Sequence, residues 1–131
     1  MTGDPLREAE RLDRALSLAY AFISKRERTV AEVEQRLVER EVRAETIEAA
    51  ITELQELGYL DDAGYAERFT HDRRKLDSWG DERIERRLRE RGIDRHLISA
   101  ALGRGDDEQT AVQAAAELVR RRFPVPPETP R

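Results

Sequence analysis

No cysteine occurs in the chain, which excludes disulfides and thiolate metal sites. The seven glycines, five prolines and 5% aromatic residues are too few for a turn-rich β-protein. Apolar runs are short: the stretch 18–23 is among the longest, against the roughly 20 residues that a membrane-spanning helix needs. The chain opens Met1-Thr2-Gly3-Asp4-Pro5, without the basic and then apolar start of an export signal. These absences predict a cytoplasmic protein with no membrane association. The chain also lacks a phosphate-cradling glycine loop, a Gly-x-Ser-x-Gly elbow and a His-Glu-x-x-His pair. His71 and His96 have no ligand spacing between them, so neither a metal site nor a catalytic one is expected, and no cofactor.

What is abundant is charge, at 40% of residues, together with the helix formers Ala, Leu, Glu and Arg. An all-α fold is the natural reading. The net charge of −4 is unevenly spread. Residues 1–63 carry 9 basic and 15 acidic groups, whereas 64–105 carry 11 basic and 8 acidic. Such a division suits a protein with two differently charged partner surfaces, although ordinary solvated helix faces produce it too.

Helical spacing of Leu12, Ala15, Leu16, Ala19, Tyr20 and Ile23 predicts a first helix from near Pro5 to near Lys25. Thr29 and Glu32 form a capping-box pattern ahead of Val33 and Leu37, in a helix ending near Arg40. Ile47, Ala50, Ile51 and Leu54 mark a third helix that Gly58 closes in a left-handed cap. Asp61 or Asp62 then caps a fourth, with Tyr65, Ala66, Phe69 and Arg73 in register. Gly80 opens a fifth around Ile84 and Leu88, Gly92 ends it, and Asp94 caps a sixth containing Leu97, Ile98, Ala101 and Leu102.

Ala15, Leu18, Thr29, Val33, Leu37, Val42, Ile47, Ala50 and Ile51 each have a counterpart 51 positions later: Ala66, Phe69, Gly80, Ile84, Leu88, Ile93, Ile98, Ala101 and Leu102. A constant offset without gaps implies a duplicated three-helix module. The expected organisation is a lead-in over 1–11, modules over 12–57 and 58–103, the first helix of an incomplete third over 106–123, and a proline-rich tail over 124–131. Val112, Ala115, Leu118, Val119 and Phe123 give that last helix its apolar face, and Pro124 stops it. The tail reads as disordered or polyproline-like, with a proline-rich ligand as the alternative. Modules this small are expected to pack on one another and stack into an elongated body.

The run Leu54-Gln55-Glu56-Leu57-Gly58-Tyr59-Leu60-Asp61-Asp62, followed by Tyr65-Ala66-Glu67-Arg68-Phe69 and then by Gly80, Arg83-Ile84, Leu88 and Arg91-Gly92-Ile93, resembles the central signature of RecX regulatory proteins. Upstream, Arg26-Glu27-Arg28-Thr29 with Glu32 and Leu37 resembles the first RecX repeat. The resemblance covers about residues 12–102. It implies tandem three-helix repeats that lie in the groove of a RecA nucleoprotein filament and modulate, most often inhibit, its ATPase, recombination and DNA-repair activity. It also implies a non-catalytic protein without a small-molecule substrate, and a third repeat of which this chain carries one helix.

Most signature residues have a structural role that needs no partner. The polar candidates for partner contact lie in the second module: Arg68, Arg73, Arg74, Lys75, Arg83, Arg86 and Arg87, with Arg89 and Arg91 nearby. Arg83, Arg86 and Arg87 fall in adjacent helical turns and can present a cationic ridge to acidic RecA surface or to DNA phosphates. Pairing with Glu82, Glu85 and Glu90 is the structural alternative. Trp79 could anchor a protein interface, stack on a base, or cover the end of a small core. A second functional reading is a helix-turn-helix-like DNA-binding module acting without RecA, based on the short-turn pair 29–57 and the basic second module. Single- or double-stranded DNA then stands as an additional partner, weakened by the net negative charge.

Overall fold

The computed structural model describes residues 4–103. Among these residues there are six α-helices and no strand: α1 (Pro5–Ile23), α2 (Val30–Glu39), α3 (Ala44–Glu56), α4 (Asp62–Asp77), α5 (Asp81–Glu90) and α6 (Arg95–Leu102). They form two three-helix units that divide between Leu60 and Asp61. No described helix is long and apolar enough to cross a membrane. The expected helix over 106–123 and the tail over 124–131 lie outside the described residues.

Local chemistry sets the helix starts. Asp4 accepts the Leu6 amide at 3.0 Å and Pro5 occupies the first turn, where its missing N–H is no loss. At α2 the capping box closes in both directions, Glu32 N to Thr29 Oγ1 at 3.2 Å and Thr29 N to Glu32 Oε1 at 3.0 Å. Such a cap is worth about 1 kcal/mol. Asp61, not Asp62, caps α4 by accepting the Gly64 amide at 3.1 Å. Asp94 holds the N-cap position of α6, but its side chain makes no cap hydrogen bond, in contrast to the capping role expected from the sequence.

The helix ends repeat as well. Gly58, at φ 84°, donates to Gln55 O, and Tyr59 N reaches Leu54 O at 2.8 Å, the paired bonds of a Schellman motif. Gly92 ends α5 in the same way, with Ile93 N on Leu88 O at 3.1 Å. At the equivalent place after α2 stands Glu41, at φ 63°, with Val42 N on Leu37 O at 3.0 Å. A side chain in the left-handed region costs about 1–2 kcal/mol, partly offset because glycine orders more chain entropy on folding. We therefore expect Glu41→Gly to raise stability by about 0.5–1 kcal/mol and Gly92→Ala to lower it by about 1 kcal/mol. Urea unfolding would measure both, and the same sign for the two would refute the equivalence of these turns.

Each unit closes a core of its own. In the first, Ala15, Leu16 and Ala19 of α1 meet Val30, Val33 and Leu37 of α2 and Ile47, Ala50, Ile51 and Leu54 of α3. Leu60 belongs to this core too, because the turn after Gly58 swings it back under the helices. In the second, Ala66, Ile84, Leu88, Ile93, Leu97, Ile98 and Leu102 are buried, with Phe69 and Trp79 packed partly exposed against them. The 51-residue register is visible in the burial: Val33 and Ile84, and Leu37 and Leu88, are all fully enclosed. Thr70 stands where Ala19 stands in the first unit, equally buried, and among the described residues its hydroxyl has no partner.

Candidate partner-binding site

The sequence candidates take up separate settings on the second unit. Arg68 folds back over the first turn of α4, where a Cβ on Gly64 would meet its Nη1 at 3.0 Å and run into the Asp61 carboxylate. Arg74 braces the unit: its Nη2 donates to Asp81 Oδ1 at 2.8 Å and to Leu102 O at 2.9 Å, tying α4 to the start of α5 and the end of α6. Lys75 borders an open groove of about 410 Å³ shared with Glu67, Thr70, His71, Arg74 and Ala101.

Arg73, Trp79, Arg83 and Arg87 come together. α4 ends on Ser78 at φ 56°, and the Trp79 amide donates back to Arg73 O at 3.0 Å, which turns the indole over the last turns of α4. There it meets Phe69 edge to face at 5.8 Å, and Phe69 stacks with Tyr65 at 5.8 Å. Guanidinium carbons approach the indole centroid from Arg83 at 3.9 Å, Arg87 at 5.6 Å and Arg73 at 5.9 Å. The far end of the aromatic row carries Arg91, 4.9 Å from the Tyr65 centroid and donating to its hydroxyl at 2.6 Å.

Helical geometry explains the selection. Arg83 and Arg87, four apart, share the flank of α5 beside the Ile84 and Leu88 face. Arg86 points elsewhere, contacts no ring and forms no ion pair among the described residues. Of the three ridge candidates, Arg83 and Arg87 approach the indole and Arg86 does not. Carboxylates neutralise the cluster only in part. Asp77 pairs with Arg73 at 2.6 Å and Glu90 with Arg87 at 3.4 Å, while Arg83 has no ion pair among the described residues. Stacking on the ring holds Arg83 without using its donors, which stay available for a bidentate anion. Among the described residues no three His, Cys, Asp or Glu side chains converge as a metal site would require.

The first unit carries a related cluster that the sequence reading missed. Arg28 lies over Phe22 at 3.8 Å, donating through Nε to Phe22 O at 3.2 Å, and Arg36 approaches the same ring at 5.5 Å. The 51-residue offset places Phe22 on Arg73, Arg28 on Trp79 and Arg36 on Arg87. Ring and cation have exchanged places in the first two and the cation is kept in the third. Arg14 and Arg40 behave likewise: Arg14 Nη2 donates to Arg40 O at 3.2 Å where the second unit pairs Tyr65 with Arg91. The repeat register was the signal that could have found these residues, once applied to polar as well as apolar positions.

Two three-helix units in tandem, each with an aliphatic core and an arginine-on-ring corner, define an all-α protein of tandem helical repeats. Profiles described as "RecX, first three-helix domain" and "RecX, second three-helix domain" match residues 15–54 and 61–102. The chain belongs to the RecX family. A protein named Regulatory protein RecX from Lactobacillus delbrueckii subsp. bulgaricus is 38% identical over 98 residues, covering 75% of this chain and 36% of its own length. Its namesake from Listeria monocytogenes serotype 4a is 28% identical over 121 residues, covering 90% and 45%. The crystal structure of RecX from Lactobacillus salivarius superimposes with a TM-score of 0.68 at 26% identity, over 86% of this chain and 75% of that one. The chain thus spans less than half the length of these two curated relatives.

Proposed function

We propose that this chain is a non-catalytic cytoplasmic regulator that binds RecA–DNA filaments and lowers their ATPase and recombination activity. The observation that carries this reading is the match of both units to RecX three-helix domains, first and second in sequence order. The arginine cluster at Trp79 supports it physically, because guanidinium groups on a rigid helix flank suit carboxylates and phosphates alike. Arg73, Arg83 and Arg87 make the contact in this proposal, Arg86 adds charge from the neighbouring face, and Arg74 keeps the helices in place.

Titration of the chain into RecA turning over ATP on single-stranded DNA tests the proposal, with DNA binding by the chain measured alone. We expect turnover to fall at concentrations where the chain by itself holds little DNA. Tight, salt-sensitive DNA binding with RecA turnover unchanged would instead favour the independent DNA-binding module.

A further inference from the structure

The two arginine-on-ring corners lie at one place in the repeat, the end of the first helix and the start of the second, yet they are assembled from different residues. In the first unit the ring is Phe22 and the stacked cation Arg28; in the second the ring is Trp79 and the stacked cation Arg83. Arg36 and Arg87 occupy the same register position and approach their rings at 5.5 and 5.6 Å. A core needs none of this: the rings sit at the margin, and neither Arg36 nor Arg83 has an ion pair among the described residues. The feature present twice is a guanidinium over an aromatic ring, Arg28 on Phe22 and Arg83 on Trp79, with a second guanidinium, Arg36 or Arg87, approaching the same ring.

We propose that each unit carries one of two quasi-equivalent sites for a single-stranded nucleic acid, in which a base stacks on the ring-backed guanidinium and a phosphate is held by Arg36 or Arg87. The chemistry favours a strand over an acidic peptide. A guanidinium backed by a ring offers a flat cationic face, which a base with its own π-face covers, while the second arginine takes the adjacent backbone charge. A carboxylate side chain would use the charge and leave the flat face uncovered. This inference deepens the proposed regulatory reading by assigning the nucleic acid of the filament, not the recombinase, to these corners.

The whole chain is titrated with an oligothymidylate of about 16 nucleotides, reading the fluorescence of Trp79, the only tryptophan in the sequence. We expect saturable quenching that weakens with salt. Arg36→Gln and Arg87→Gln, checked for unchanged helical circular dichroism, should each weaken binding and each reduce the slope of log affinity against log salt by about 0.7. Absence of quenching overturns the inference, as does an effect of Arg87→Gln without one of Arg36→Gln. Equal affinity for polyglutamate overturns it as well. The RecA ATPase titration on the same samples separates the two ideas. Inhibition with no oligonucleotide binding leaves the regulator standing without these sites, and oligonucleotide binding lost on substitution, with no inhibition by the parent chain, leaves the sites standing without the regulator.

Discussion

Leu88→Ala should cost the second unit about 2–5 kcal/mol, the range for removing a fully enclosed leucine when the surroundings close only partly around the void. Leu88 is completely buried between α5 and α6, and its carbonyl accepts the Ile93 amide that closes the turn at Gly92. A domain's whole stability is about 5–15 kcal/mol, so a unit with so few large buried side chains loses much of its margin to one such change. Leu37→Ala should cost a comparable amount, because Leu37 is equally enclosed and accepts the Val42 amide in the matching turn. Urea unfolding followed by circular dichroism measures both. A loss below about 1 kcal/mol for either would mean that the inward face of that helix is not packed as described.

The second large effect concerns regulation. Reversing both charges on the indole flank, Arg83→Glu with Arg87→Glu, should raise the concentration needed for half-inhibition of RecA at least tenfold, equivalent to about 1.4 kcal/mol. Each reversal exchanges an attraction for a repulsion worth about 1 kcal/mol even in bulk water. The fold should tolerate the change: the exposed Arg87–Glu90 pair contributes under about 1 kcal/mol, and the cation on Trp79 about 0.5–1 kcal/mol. Arg86→Glu alone should act more weakly, since Arg86 is not part of the ring-backed cluster. Inhibition left intact by the double reversal, with helical content preserved, would remove this flank from the contact surface.

Much of the architecture was legible in the sequence because helices of this kind are specified locally. Capping at Thr29 and Glu32 needs residues three apart, and closure at Gly58 and Gly92 needs only a residue without a side chain. The left-handed Glu41 was not legible, since nothing in a glutamate announces that conformation; only its alignment with Gly92 could have suggested it. Leu60 fell just outside the helical periodicity of the first module, and its burial depends on where the turn after Gly58 sends the chain.

The candidate site divides along the same line. The sequence by itself determined that arginines crowd the second unit, that Trp79 precedes a helix start, and that the two modules share a 51-residue register. Those properties follow from residue identity and from periods shorter than a helix turn or equal to the repeat. Only the tertiary structure decided which arginines meet a ring, separated Arg83 and Arg87 from Arg86, turned Arg74 into a brace, and gave Phe22, Arg28 and Arg36 a place beside them. The physical reason is that a long flexible side chain has no preferred partner until packing fixes the ring, carbonyl or carboxylate within its reach.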